Sequence, residues 1–294
     1  MQLSELIAAS AAQLNTASLS FGHGTTNAED EAAWLTLWRL GLPLDTDAAM
    51  LVHELPLEQI SAVQALVLER IQSRKPAAYL TREAWLQGVP FYIDERSIVP
   101  RSFIAELLAE GDIDYWLGDH TQRVLDLCTG NGSLAVLAAM TYPEVTVVGA
   151  DLSADALEVA RINLERHHLA DRITLIQSDG LKNVPGLFDL MVCNPPYVCT
   201  ASMQALPAEF LAEPALALAG GQDGMDFVRQ LFEDAPQHMR EHAVLVLEIG
   251  NEREHFENAF PQLEVIWLET SAGDDQVLLV TRTSLLRQHT SPKA

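Results

Sequence analysis

A chain of 294 residues is long for one domain and comfortable for two, and 48% hydrophobic against 20% charged residues excludes a disordered protein. Forty-one acidic side chains face 18 basic ones, a formal net charge of -23. That balance works against an extended nucleic-acid footprint, which needs clustered Lys and Arg, and favours a basic protein partner.

The first twenty residues contain Glu5 and no basic residue, so they do not read as a secretory signal. No apolar run reaches the roughly 18 residues that span a bilayer. Cys128, Cys193 and Cys199 form no metal-ligand spacing, so no metal is expected, and an odd cysteine count suits reduced thiols in the cytoplasm. Leu3, Leu6 and Ile7 have helical spacing, as do Trp34, Leu35, Trp38 and Leu42 after the acidic stretch 27–31. A third helix is predicted over 57–73, with Ile60, Val63, Leu66, Val67 and Ile71 on one face and Pro76 beyond to stop it. Residues 1–83 are therefore expected to form a small helical domain.

Residues 91–98 read as two short strands around a polar turn, so 84–99 is expected to be a hairpin linker. Pro100-Arg101 precedes an apolar helix over 103–108. Beyond Arg123 strands and helices alternate, the pattern of a doubly wound α/β sheet, and 100–294 is read as one domain. Strands are predicted at 124–127, 145–150, 173–177, 190–193, 244–249, 263–268 and 277–281, and helices at 133–140 and 154–167. The polar tail after Leu286 is expected to fray.

Two motifs carry chemistry. The first predicted strand runs into Asp126-Leu-Cys-Thr-Gly-Asn-Gly-Ser133. Gly130 and Gly132 permit a tight strand-to-helix turn and close backbone approach to a ligand. Dinucleotide folds open in the same way, but Asp126 inside the strand with the Thr129-Gly130-Asn131-Gly132 run fits an S-adenosylmethionine loop better. No Lys-Ser or Lys-Thr follows the glycines, which excludes a Walker loop. About twenty residues on, Asp151 ends a strand where a carboxylate can accept both ribose hydroxyls; capping the next helix is the plainer role. Asp179 is placed near an adenine amino group, with a simple turn as its alternative.

The fourth strand leads into Asp189-Leu-Met-Val-Cys-Asn-Pro-Pro-Tyr197. A planar NH2 group is a poor nucleophile because its lone pair is delocalised. The Asn194 side-chain oxygen and the Pro195 carbonyl can each accept one of its hydrogens and aim the nitrogen at a methyl donor. Pro195 and Pro196 stiffen the backbone, and Tyr197 offers an aromatic face. Catalysis of this kind is orientation and charge placement, with no strong base and none of the nine histidines required.

With these residues the chain resembles the HemK-type protein-glutamine methyltransferases over nearly its whole length. The resemblance implies a class I methyltransferase sheet, Rossmann-like with seven mixed strands, joined by a hairpin to a helical N-terminal domain. It implies cofactor contacts at Cys128–Gly132 and Asp151, and substrate contacts at Asn194–Tyr197; Asp126, Asp179 and Asn194 are also expected at the cofactor. Glu213 to Gly224 is similar to a segment that helps close the site. Phe21-Gly-His-Gly-Thr25, Ala78-Tyr-Leu-Thr81 with Ala84-Trp85, Asp94-Glu-Arg96, Val99-Pro-Arg-Ser102 and Ala105-Glu-Leu107 are similar to the branch acting on large-subunit ribosomal protein three. The other branch, acting on release factors, shows a Pro-Arg-Pro-x-Thr-Glu pattern where this chain has Pro100-Arg-Ser-Phe-Ile-Ala-Glu106. Cys128 stands where relatives have Gly, Gly180 where some place an aromatic, and Phe103 where the ribosomal branch has Pro. The helical domain, which lacks any cofactor motif, is expected to recognise the basic protein substrate. The alternatives are the release-factor branch, an adenine-methylating nucleic-acid enzyme, and an inactive ribosome-assembly factor that keeps the fold.

Overall fold

The computed structural model describes residues 1–118 and 120–290. Helices α1 (Leu3–Thr16), α2 (Ala28–Leu40), α3 (Ala48–Leu51), α4 (Leu57–Ser73) and α5 (Ala77–Thr81) open the chain. Asn27 caps α2, its side-chain oxygen accepting the Asp30 amide at 2.8 Å, and three acidic residues follow in the first turn, where the helix dipole favours them. Leu6 and Leu14 of α1, Ala32 of α2 and Val63 and Val67 of α4 bury their shared face. As expected, α4 stops short of Pro76.

The hairpin lies earlier than the sequence suggested. Strands β1 (Glu83–Leu86) and β2 (Val89–Tyr92) pair antiparallel around Gln87-Gly88, whose φ values of 49° and 72° make the two-residue turn that matches strand twist. The polar segment at 94–97 is instead a turn wound around the Asp94 carboxylate, which accepts from Arg96 N, Nε and Nη2. Ile93 and Val99 are buried together with Trp34, Leu66 and Val159, so this stretch packs against helices from both halves of the chain.

The C-terminal half contains α6 (Ile104–Glu110), β3 (Arg123–Leu127), α7 (Ser133–Thr141), β4 (Thr146–Asp151), α8 (Ala154–Arg166), β5 (Ile173–Gln177), β6 (Phe188–Cys193), α9 (Thr200–Ala205), α10 (Asp226–Asp234), β7 (Met239–Glu248), α11 (Arg253–Ala259), β8 (Ile266–Thr270), β9 (Gly273–Thr281) and α12 (Arg282–Thr290). The seven strands order as β5-β4-β3-β6-β7-β9-β8; the first five are parallel, and β9 runs antiparallel to both neighbours. One face packs α6 and α7 on Val124, Val147 and Val246, and the other packs α10, α11 and α12 on Leu125, Met191 and Leu245. Chain order reverses between β3 and β6, which opens a crevice at the carboxyl ends of the strands. The tail predicted to fray after Leu286 continues α12 to Thr290, and 291–294 lie outside the described residues. Among the described residues no helix is long and apolar enough to cross a membrane.

Candidate active site

The loop after β3 turns on three left-handed residues, Cys128, Gly130 and Gly132, with φ of 62°, 55° and 80°. A side chain at the first of these costs about 1 kcal/mol, which is why glycine suits it. Cys128 nevertheless lines the cavity beneath the loop, and hydrogen bonding to Cys193 together with burial keeps its thiol protonated.

Not every residue expected at the cofactor lines the cavity beneath the loop. Asp126 is fully buried below the loop, where its Oδ2 accepts the Thr129 hydroxyl at 2.5 Å and the Ala135 amide at 2.9 Å. Burial pushes this carboxyl up to about 7. Asn131 Nδ2 donates to the Ile98 carbonyl and its Oδ1 accepts the Ser133 amide, while a Cβ on Gly132 would lie 3.1 Å from Ala160. Asp126, Thr129, Asn131 and Gly132 therefore shape the loop without lining the cavity. Asn163 of α8 joins in, donating to the carbonyls of Tyr92 and Asn131.

The residues that do line this cavity include Cys128, Gly130, Asp151, Asp179 and Asn194, around about 780 Å³ of space counting its open mouth. Asp151 lines the cavity, whereas the cap of α8 is Ser153, whose hydroxyl accepts the Ala156 amide at 3.1 Å. Asp151 Oδ1 accepts the Ser153 amide and its Oδ2 the Gly130 amide, each at 2.8 Å, which fixes the carboxylate and leaves lone pairs for a ligand. Burial raises the Asp151 pKa. The Asp179 carboxylate sits at the exposed rim, paired with Lys182. Two wall residues were not legible in the sequence. Ser97 Oγ is buried without a partner among the described residues, and Phe227 from α10 sits where a Cβ on Gly180 would be 4.0 Å from its ring. Phe227 thus stands beside position 180, where this chain has Gly.

A second cavity adjoins the first, and Ile98, Asn194 and Ala217 line both. Pro195, Tyr197 and Arg101 line the second, whereas Pro196 faces the first. The Tyr197 hydroxyl donates to Glu248 Oε1 at 3.4 Å, and burial holds the phenol well above its ordinary pKa. Glu248 also accepts the Ser102 hydroxyl at 2.6 Å and the Phe103 amide at 2.9 Å, and burial pushes it up to about 7. Residues 206–218 roof both cavities through Phe210, Pro214, Ala217 and Leu218. Contacts of the buried Glu209 and Glu213 carboxylates pin this strap to the N-terminal region. Arg74 Nε lies 2.8 Å from Glu209, Arg70 3.7 Å from Glu209 and 2.8 Å from Glu31, and His23 3.5 Å from Glu213. Cys199, Glu252 and His255 also come together, bonded to one another: Glu252 accepts from the Cys199 amide and sits 2.5 Å from His255 Nδ1.

The family model for the methyltransferase small domain matches residues 113–257. A ribosomal protein uL3 glutamine methyltransferase of Bordetella pertussis is 51% identical over 287 residues, covering 96% of each chain. The enzymes of the same name from Burkholderia pseudomallei and Neisseria meningitidis serogroup B are each 47% identical, covering 96% and 93% of this chain and 94% and 91% of their own. In fold alone, the chain is similar to the hMettl16 catalytic domain crystallised with MAT2A 3'UTR hairpin 1 (TM-score 0.52, 14% identity, 80% of this chain and 85% of that one). On sequence and architecture together, the chain belongs to the family of ribosomal protein uL3 glutamine methyltransferases.

Proposed function

We propose that the protein transfers a methyl group from S-adenosylmethionine to the side-chain amide nitrogen of a glutamine in ribosomal protein uL3. The observation that carries this reading is the position of Asn194 on the wall between two cavities, one faced by Asp151 and the other by Pro195 and Tyr197. The first cavity suits the cofactor. Asp151 has acceptor capacity left for ribose hydroxyls, Ser97 Oγ is a buried polar atom without a partner among the described residues, and Phe227 offers a flat apolar face. Bound S-adenosylmethionine supplies an electrophilic methyl on a sulfonium.

The chain's own residues then do three things. The Asn194 side-chain oxygen and the Pro195 carbonyl accept the two amide hydrogens, which turns the nitrogen toward the first cavity. Tyr197 forms one wall, braced by Glu248 and seated against Gly250, where a Cβ would come within 2.6 Å of its ring. The strap covers both cavities and excludes water. The Asp126, Thr129, Asn131 and Gly132 contacts hold the loop in shape for this task.

Residues 1–83 are assigned to substrate recognition, 84–99 to the link and 100–294 to methyl transfer. The active-site motif reads only a planar amide, so choice of protein needs surface outside it. A net charge of -23 would steer a basic ribosomal protein toward the enzyme in the cytoplasm and disfavours stable nucleic-acid binding. The names of the relatives support the ribosomal over the release-factor substrate. The test is incubation with labelled cofactor and, separately, purified uL3 and release factors. Label on uL3 is the expected result; label on the release factors alone would replace it.

A further inference from the structure

A buried primary amide brings three polar groups, two N–H and one C=O, and each needs a partner once water is excluded. The reading above, on which this inference rests, satisfies the two hydrogens through Asn194 and Pro195. It leaves the carbonyl oxygen without a donor. The side chains with polar atoms on the second cavity are Asn194, Tyr197 and Arg101. The Tyr197 hydroxyl is directed to Glu248, and the Asn194 oxygen is the hydrogen acceptor.

Arg101 remains. A guanidinium has five N–H donors. Nη1 spends its two on the Val99 carbonyl at 3.1 Å and Glu213 Oε1 at 2.6 Å, and Nη2 spends one on Glu213 Oε2 at 2.7 Å. Nε–H and the second Nη2 hydrogen have no partner among the described residues. The fork is held rigidly, because Glu213 also accepts the Val99 amide at 2.9 Å and its side chain is fully buried. Pairing with Glu213 has a chemical consequence as well. A bare cation on the carbonyl would pull electron density from the nitrogen that must attack; a neutralised pair offers the hydrogen bond with a smaller penalty.

We infer that Arg101 donates a hydrogen bond to the carbonyl oxygen of the acceptor glutamine and thereby makes the cavity specific for an amide. A lysine ammonium would meet a guanidinium there, and a glutamate carboxylate would meet the oxygens of Asn194 and Pro195. Only an amide matches one donor and two acceptors. Arg101 lies 112 positions from Glu213 in the chain, so the site exists only when the strap is seated on the loop before α6.

The test weakens the carbonyl as an acceptor without moving the nitrogen. A uL3 peptide carrying the modified glutamine is made with a side-chain amide or a thioamide, whose sulfur accepts poorly. Both are assayed with the full-length enzyme and with Arg101→Gln and Arg101→Lys. Intrinsic differences in nitrogen reactivity cancel when the amide-to-thioamide ratio of kcat/KM is compared between enzymes. The wild-type ratio should exceed the Arg101→Gln ratio by at least about fivefold, the loss expected for one hydrogen bond. S-Adenosylhomocysteine affinity should be unchanged in the variant. Arg101→Lys keeps a cation beside Glu213 and secures the comparison if Arg101→Gln fails to fold. Equal ratios in wild type and variant would overturn the inference and assign the carbonyl to Asn194 Nδ2 or a water. A wild-type enzyme that methylates no uL3 glutamine would instead overturn the functional reading.

Discussion

Replacing Asp151 with alanine probes the cofactor side of the site. The carboxylate is clamped by two backbone amides at 2.8 Å, from Gly130 and Ser153, so it is presented to the cavity in one orientation. Charge-assisted bonds from ribose hydroxyls are worth about 1.5–3 kcal/mol each. Losing them should raise the Kd for S-adenosylhomocysteine by roughly 100- to 1000-fold, about 3–4 kcal/mol. Asp151→Asn should be nearly as damaging, because its NH2 would face the Gly130 or Ser153 N–H donor to donor. Asp179→Asn provides the contrast. That carboxylate is paired with Lys182 at the exposed rim, where such pairs are worth little, so its effect should stay within about threefold. Isothermal titration calorimetry on the three variants measures this directly. An Asp151→Ala protein that binds within about threefold of wild type would refute the assignment, as would an Asp179→Asn protein equally impaired.

Glu209→Gln removes the carboxylate between Arg70 and Arg74 and leaves Glu31 as the carboxylate paired with Arg70; urea unfolding should show a loss of about 3 kcal/mol, and kcat/KM for uL3 should fall with the loosened strap. Gly250→Ala places a Cβ 2.6 Å from Tyr197 Cε2 at a φ of 53°, so turnover should drop at least about tenfold while calorimetry shows cofactor-product affinity preserved. Burial raises Glu248 from 4.5 and Asp126 from 3.8 to about 7, so the folded chain holds protons that the unfolded chain has released. Stability contributed by these groups is therefore full at low pH and lost as pH rises through about 4–7, worth of order 3 kcal/mol for Glu248. Glu213, held down at about 2 chiefly against burial by Arg101, changes outside that window. Thermal unfolding of Glu248→Gln should show a shallower decline between pH 5 and 7, and parallel slopes would contradict the role of burial.

The fold was legible where hydropathy and punctuation agreed. Helix α4 lay open over its full length because its apolar face ran unbroken toward Pro76, and β5 stood out as a short β-branched run. Strands β7 and β9 begin earlier than predicted because the polar residues Arg240 to His242 and Asp274 to Gln276 near their starts interrupt the apolar runs read as strands. The hairpin was misplaced because Pro90 argues against a strand, yet it sits tolerably in an isolated two-stranded pair opposite Trp85. In the site, the loop and Asn194-Pro-Pro-Tyr197 were readable because each motif is contiguous and follows a strand. Ser97 and Phe227 were not, since tertiary packing alone brings them to the cavities; Arg101 and Glu213 stood in segments that the resemblance marked, but only packing pairs them. Asp126 looked like a ligand contact from its place in the motif, and only its burial shows that it holds Thr129 from below.

The role proposed for Asn194, orienting a glutamine amide of uL3 for methylation, can be tested in one comparison. Wild-type enzyme and Asn194→Ala are each incubated with uL3 and S-adenosylmethionine; the modified peptide is sequenced by mass spectrometry, and cofactor-product affinity is measured alongside. One methyl group on a glutamine side chain is expected with the wild type. The variant should lose at least about 2–3 kcal/mol of transition-state stabilisation, roughly 30- to 150-fold in kcat/KM, at unchanged cofactor-product affinity. Near-normal methylation by Asn194→Ala, or a methyl group on any residue other than glutamine, would contradict this role.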